Sequence, residues 1–341
     1  YGNAIENGTT NANAYISHAA AGNPYVLYNF KDHNNQNISD PWIEKTNGGA
    51  NAGVDGAEVV WADAADLVHS PSITHVGGEG FLDFEVTAAD IQSGNAVVAV
   101  KKGGTTVWSW HLWFAPKDAL DKIPVTNHQG VVYNFTKETL GWKPTQWSGS
   151  TYDKPRTVKV KVVQTIKNGG VAQETVINIT QKPGSVKQGA TTLYQFGRKD
   201  AFPGVETSKL AANSHFTENA GDNMSIMNGI QHPDKFYTWG TSGSSWTTNY
   251  GYYNLWSADN TTTGFNDNHV VKTVYDPSPV GFKMPASNAF TGFTTTGQNA
   301  YTQSEFNVDG TSDGQTYRNN FGHNFWTSSS KTATIYFPAS G

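Results

Sequence analysis

The sequence predicts a mainly β protein, and three observations carry that prediction. Apolar residues alternate with a period of two along several segments, whereas helical periodicity is scarce. Glycine pairs interrupt the alternating segments at hairpin spacing. The composition fits a turn-rich β chain: 15% of residues are charged, 13% are aromatic, and 35 of 341 are glycine. An average soluble domain carries about 25% charged residues. A disordered chain would lack so many aromatics.

Taken in order, the elements follow from these patterns. In Phe81–Val86, Leu82, Phe84 and Val86 share a parity and predict a strand. Ala96–Lys101 is a short apolar run, and Thr106–Phe114 is a second strand. Between them Gly103-Gly104 forms a two-residue hairpin turn, since both residues reach positive φ without a Cβ clash. Arg156–Thr165 places Val158, Val160 and Val162 on one face, with Lys159 and Lys161 opposite. Asn168-Gly169-Gly170 turns the chain, and Glu174–Thr180 returns with Thr175, Ile177 and Ile179 aligned. One apolar face and one polar face suit an antiparallel sheet with a wet side. Three short helices are expected. Thr87–Ser93 has a capping Thr87 and Gly94 beyond its end. Ala62–His69 could make two turns, and Ser287–Phe293 sets Phe290 and Phe293 on one face.

The length suits about two domains of ~150 residues and is ample for a buried core. A boundary is expected at Gln181–Ala190, where Lys182-Pro-Gly-Ser185 and Gln188-Gly-Ala190 interrupt two ordered-looking stretches. Residues 1–185 should be mainly antiparallel β, with a sandwich as the expected architecture. Residues 190–341 are richer in aromatics and turns and poorer in clean strands, and should form an irregular α+β domain. No fixed-period repeat is evident.

Several function classes are disfavoured. With no cysteine, the chain has no disulfide, thiolate metal site or cysteine nucleophile. Its 23 basic and 28 acidic residues give a net charge of −5, so nucleic acid is not an expected partner. No apolar stretch approaches the ~20 residues of a membrane-spanning helix. The chain opens on Tyr1 rather than Met, which reads as a mature form, a fragment or a trimmed chain and leaves secretion open. There is no P-loop, no H-E-x-x-H and no G-x-S-x-G. The ten histidines are scattered, and a triad assembled from distant residues has no pointer here. Asp309–Gly314 resembles part of a calcium loop, but the position that needs glutamate is Asn320, so a polar turn is the plainer reading. N-x-[ST] sequons fall at Asn7, Asn37, Asn134, Asn178, Asn223 and Asn260 and matter only where the source glycosylates them. No cofactor or metal is expected.

Two aromatic segments are candidates for binding. In Val107–Phe114, Trp108, Trp110, Leu112 and Phe114 share one face, and Ser109, His111 and Trp113 the other. Bulk on both faces suits a central strand covered on both sides; the alternative is a platform on which sugars stack. The stretch 236–256 mixes aromatics with Gly, Ser, Thr and Asn, as recognition loops do. Its candidate ligand-stacking residues are Trp239, Trp246, Tyr250, Tyr252, Tyr253 and Trp256. The other reading is an irregular loop anchored in the core by these rings.

An ordered series of segments resembles the fimbrillin-type surface proteins of the Bacteroidales. It begins with Tyr1–Ile5, Ala57–Ala64, Gly94–Val100 and Val107–Trp113. It continues through Leu140-Gly-Trp142, the strands ending at Ile179-Thr-Gln181, and Leu193–Pro203. The last of these, with Tyr275–Pro285 and Phe325-Trp-Thr-Ser328, looks like the Fibrobacter-type major paralogous domain, which is similar to C-type-lectin-like and formylglycine-generating-enzyme-like folds. The resemblance covers nearly the whole chain.

The resemblance implies a secreted lipoprotein at the cell surface, attached to the outer membrane, often as a pilus tip or accessory subunit. It implies a fimbrillin-like β-sandwich over 1–185 and a lectin-like α+β domain over 190–341. Its partners would be other pilus subunits joined by β-strand addition, and a glycan or another surface ligand. The formylglycine-generating enzyme depends on cysteine, so that reaction is not expected here. Relatives carry a strand before the segment matching Tyr1–Ala4 and continue beyond the one matching Tyr336–Gly341, so edge pieces are expected to be missing at both ends, including a truncated C-terminus. The expected function is that of a non-enzymatic fimbrial tip or accessory adhesin acting in attachment. The alternatives are a purely structural pilus subunit, a surface glycan-binding protein unrelated to pili, and a glycan-active enzyme. The last would need two facing carboxylates about 5–9 Å apart, and Asp259, Asp267 and Asp276 have no special spacing.

Overall fold

The structure, a computed structural model, describes residues 1, 5–6, 9–10, 30–148, 156–164, 170–181, 185–195, 197–221, 225–238, 255–258, 265–298, 302–311 and 322–338. These residues are mainly β, with short helical pieces. Strand β1 (Ile5–Glu6) pairs with β2 (Thr9–Thr10). Then come β3 (Gly56–Ala62), the hairpin of β4 (His69–Val76) and β5 (Glu79–Glu85), β6 (Gly94–Lys102) and β7 (Thr105–Phe114). A second hairpin joins β8 (Lys122–Thr126) to β9 (Val132–Thr136). Next are β10 (Lys143–Ser148), β11 (Arg156–Gln164), β12 (Gln173–Gln181) and β13 (Ser185–Ala190). Helix α1 (Ile226–Gln231) and the 3-10 helix Ser287–Phe293 precede the last pair, β14 (Gly322–Trp326) and β15 (Thr334–Pro338).

The chain groups into two compact units, and the grouping is not linear. Tyr1–Lys143 and Ala190–Gly341 form one; Pro144–Gly189 forms the other. The boundary expected at Gln181–Ala190 thus lies where the chain returns to the larger unit. Within the smaller unit β11 and β12 pair with Val158, Val160 and Val162 opposite Ile179, Ile177 and Thr175. The hairpin and the shared apolar face are as the sequence predicts, but that face is exposed, with Val158 at 62% and Ile179 at 58%, rather than covered. The turn at 165–169 lies outside the described residues. Strand β13 pairs with β10, so Ser185–Ala190 is a strand where turn and linker residues were expected.

The larger unit is built on the antiparallel sheet β3-β6-β7. Gly103 and Gly104 turn the chain with φ of 56° and 82°, and Lys102 faces Thr105 across the hairpin. Positive φ at both positions is what this turn requires. β6 is the middle strand, and Gly94–Val100 is buried throughout, which explains its unbroken apolar run. Strand β7 lies at the end of the sheet order rather than in the middle. Its bulky residues on both faces reflect layers above and below the sheet. On one face Ala96 and Val98 pack with Val59, Leu67, Val68, Leu82 and Leu112. On the same strands Val100 and Trp108 join Phe30, Ile230, Val274 and Tyr275. Trp108 meets Tyr1 and Tyr275 edge to face, with ring centres 4.7 and 5.9 Å apart. For Trp108, fully buried, the core reading therefore holds.

The other face packs Val97, Ala99, Val60 and Trp61 against Ala201, Tyr194 and Leu210. The Trp61 indole donates to the Ala201 carbonyl at 3.1 Å. Ser109 donates to Asp200 at 2.7 Å. His111 lies between the Tyr194 hydroxyl (2.7 Å) and Asn95 Oδ1 (2.9 Å). Burial pushes its imidazole down to about 3, so the ring is neutral at physiological pH. Asn95 Nδ2 is already donated to Asp63 and to the Gly141 carbonyl, so His111 Nε2 carries the proton and Nδ1 accepts from Tyr194. The free edge of β3 is also covered at one end. The Ala211 and His215 amides donate to the carbonyls of Ala62 (2.8 Å) and Val60 (2.6 Å), which closes the Val60–Ala62 end of that edge to another strand.

Asp200, Arg198 and Lys199 are buried together where Leu193–Pro203 crosses β7. Arg198 donates to Asp200 (3.1 Å), to Gln195 (2.9 Å) and to the carbonyls of Lys235 (2.8 Å), Gly229 (2.9 Å) and His232 (3.2 Å). Gly229 lies in the last turn of α1 and His232 just past its end, where carbonyls favour a cation. Lys199 donates to Asp200 and to Ser109 and stands 4.6 Å from the Trp108 ring centre.

Two expected helices are absent. Thr87–Ser93 is a turn at 88–90, with the Asp90 amide donating to the Thr87 carbonyl at 3.0 Å. Gly94 opens β6 instead of closing a helix. Ala62–His69 is a series of bends and turns in which Leu67 and Val68 dock on the sheet. The third expectation holds in tighter form: Ser287–Phe293 is 3-10, and Phe290 and Phe293 lie 6.2 Å apart.

Replacing Asp200 tests this arrangement. Burial alone would raise its carboxyl, but the charges of Lys199 and Arg198 and the donated hydrogen bonds hold it below the usual value of 3.8. A carboxyl lowered in the folded state stabilises fully above its unfolded value, and that contribution is lost as pH falls through the folded value. Asp200→Asn should cost about 3–5 kcal/mol at pH 7, because two buried cations lose their counter-charge. Denaturant unfolding should also find a weaker loss of stability below about pH 4 in the variant than in the wild type.

Candidate functional site

The β8–β9 hairpin and the 3-10 helix Ser287–Phe293 frame an open apolar cleft of about 670 Å³. The hairpin turns at Asn127–Gly130, with Gly130 at φ 86° and the Asn127 amide donating to the Val131 carbonyl at 2.9 Å. Beneath it Val125, Phe293 and Ile335 form a small core with Phe135, Phe325 and Phe337 around them. Phe135 lies 5.7 Å from Phe290 and 5.6 Å from Phe293. Gly292 allows the helix to approach β8, since a Cβ there would lie 2.6 Å from the Thr126 carbonyl oxygen.

Asp267 ties the frame together. Its Oδ1 accepts from Asn127 Nδ2 (2.8 Å) and the Tyr133 hydroxyl (2.5 Å), and its Oδ2 from Asn288 Nδ2 (2.9 Å). Burial works to raise this carboxyl, but the three donors outweigh it and hold the group below the usual range. Burial and the neighbouring carboxylate push the Tyr133 phenol up. With three donors engaged, Asp267 acts as a clamp between the hairpin and the helix. Around the cleft Leu120, Val131, Val132 and Phe290 are exposed, Val132 at 57% and Phe290 at 43%. Four large apolar side chains gathered at one opening form a patch of the kind that marks interaction sites. Lys122, His269 and Lys283 are the basic residues of the lining.

Of the ligand-stacking residues expected from sequence, Trp239, Trp246, Tyr250, Tyr252 and Tyr253 lie outside the described residues. Trp256 is half-buried, packs against the core around Trp108 and donates its indole N–H to the Arg198 carbonyl at 2.9 Å. Of the three carboxylates, Asp259 is outside the described residues, and Asp267 and Asp276 serve different local structures. Asp276 is buried, pairs with Lys272 at 3.2 Å and accepts from the Ser278 (2.8 Å) and Met284 (3.0 Å) amides. In the calcium-loop segment the Asp309 amide donates to the Asn324 carbonyl at 2.8 Å, and residues 312–314 lie outside the described residues. Among the described residues no cluster of three or more His, Asp or Glu could hold a metal ion, and no helix is long and apolar enough to cross a membrane.

The cleft was not legible in the sequence. Its frame draws on residues near 127, 133, 267 and 288, and no local spacing joins them. The only local signal was the paired Phe290 and Phe293. Comparison with protein-family models, curated proteins and solved structures gives no match.

Asp267→Asn places an amide among three donors. The change should cost about 1–3 kcal/mol in denaturant unfolding. It should also let the Tyr133 phenol titrate at lower pH than in the wild type, read from tyrosinate absorbance.

Proposed function

We propose that the chain is a non-enzymatic cell-surface protein, a fimbrial tip or accessory adhesin subunit that acts in attachment at the outer membrane. The observation that carries the reading is the open cleft with Leu120, Val131, Val132 and Phe290 exposed around a clamped base. A rigid frame with an apolar opening presents contact area at little ordering cost. The resemblance to fimbrillin-type proteins supports the same reading. The resemblance implies a β-sandwich over 1–185 and a C-type-lectin-like domain over 190–341, whereas the chain itself groups Tyr1–Lys143 with Ala190–Gly341 in one compact unit. The segments Ala57–Ala64, Gly94–Val100, Val107–Trp113, Leu193–Pro203 and Tyr275–Pro285 carry that resemblance, and residues from all five meet in the buried core of the larger unit.

A second reading is a structural pilus subunit that works by strand addition. It is favoured by β9, which among the described residues pairs with β8 alone, and whose Val132 is exposed. An added strand there would bury the patch and complete the backbone hydrogen bonds.

A glycan array tests attachment, read with the wild type, Val132→Asp and Phe290→Ala. The adhesin reading predicts a bound glycan class that both substitutions weaken about tenfold, equivalent to about 1.4 kcal/mol each. Glycan binding that neither substitution changes would reject this cleft as the site. The assembly reading predicts instead that a peptide copying a partner's terminal strand raises the melting temperature, since it binds the folded state alone. No shift would reject that reading.

A further inference from the structure

A second cleft, of about 660 Å³, opens beside the β4–β5 hairpin on residues separate from the first. Its aromatic wall is Trp42, Phe81 and Trp110, with Ile73, Leu82 and Leu112 behind. Trp42 and Phe81 meet edge to face with ring centres 5.9 Å apart. One carboxylate is fixed in this apolar setting. Glu44 Oε1 accepts from the amides of Gly53 (2.7 Å) and Val54 (2.8 Å) and from His75 Nε2 (3.1 Å). Its other oxygen, Oε2, accepts no hydrogen bond among the described residues, and the side chain is only 14% exposed. Gly80 makes room for it, since a Cβ there would lie 2.5 Å from Oε2. Burial alone would raise the Glu44 carboxyl, but the Val54 amide, His75 and the Gly53 amide overcome that and hold it below the usual range.

The cleft mouth already accommodates one cation. The Lys45 ammonium stands 4.8 Å from the Trp42 ring centre and pairs with Glu79 at 2.6 Å. Lys45 and Glu79 cancel each other, which leaves the Glu44 carboxylate facing His75 and the apolar walls. An anionic ligand would be repelled here. A plain hydrocarbon would strip water from Oε2 without replacing its hydrogen bonds. A cation with an apolar body meets both demands: it donates to Oε2 and sets its hydrocarbon and charge against aromatic faces.

We propose that this cleft is a binding site for an organic cation, an ammonium or guanidinium on an apolar body, with the charged group on Glu44 Oε2 and the body against Trp42, Phe81 and Trp110. The same chemistry occurs in free amines and in lysine or arginine side chains of a partner protein. Saturation-transfer NMR and calorimetry on the whole chain separate these sources, with phenethylammonium as the free amine and N-acetyl-arginine amide as the peptide side chain. The tighter binder identifies the source. The isosteric anion 3-phenylpropionate should not bind. Glu44→Gln keeps the Oε1 acceptor for Gly53 and Val54 and should weaken the bound cation by about tenfold or more. Phe81→Ala, at a rim position 42% exposed, should weaken it too, and is the variant read if Glu44→Gln melts early. Equal binding of the anion, unchanged cation binding in Glu44→Gln when it folds as the wild type does, unchanged binding in Phe81→Ala, or no binding of either cation at about 10 mM would overturn the proposal.

Discussion

Asp200 sits at 4% exposure between Arg198 and Lys199 and accepts a hydrogen bond from Ser109 on β7. Burying three charges is expensive unless every one is paired and bonded. Here the pairing spans the chain. Ser109 belongs to the sheet, and Arg198 continues to the carbonyls at the end of α1. Lys199 rests on the Trp108 ring. A displacement of Leu193–Pro203 from β7 would leave uncompensated charge in the interior. This ties the segment to one position on the sheet more sharply than apolar contact alone, which tolerates sliding.

Other features of the larger unit depend on that position. With Leu193–Pro203 fixed, Ala201 and Tyr194 close one face of the sheet, and 211–215 runs along the edge of β3. The opposite face is then free to take the β4–β5 hairpin, whose outer end forms the cleft with Glu44. The Trp108 ring faces Tyr275, which precedes the turn held by Asp276 and Lys272. The two clefts are thus built differently. One is clamped by a carboxylate with both oxygens engaged, Asp267. In the other, Glu44 Oε2 accepts no hydrogen bond among the described residues. The first suits a contact surface, and the second suits recognition of charge.

The sequence was most legible where one rule decided the outcome. Gly103-Gly104 dictated the turn between β6 and β7, and the Val and Ile alternation placed the apolar residues of β11 and β12 on one face. It misled where tertiary contacts overrode local preference. Thr87 can cap a helix, but its hydroxyl bonds Asp90 within a turn, and Gly94 is needed at the start of a buried strand. Ala62–His69 was expected to make two helical turns, yet burial of Leu67 and Val68 against Ala96 and Val98 fixes them in bends. Trp108 and Trp110 share a face, as alternation predicted, but one is fully buried and the other lines a cleft. That difference depends on what lies above the sheet, and no local pattern encodes it. The Glu44 site was invisible for the same reason, since His75, Gly80 and Trp110 reach it from three separate strands or turns.

The central claim is that segments on either side of 144–189 share one cooperative core. Native-state hydrogen exchange in low denaturant measures this directly. The amides of Leu193, Phe202, Ala211 and His215 are hydrogen-bonded within the later segment or to β3, and Val98 lies at the centre of β6. The account predicts that all five exchange through the same global opening, with one free energy and one denaturant dependence. Exchange of the 193–215 amides at a distinctly lower free energy, while Val98 stays protected, would contradict it.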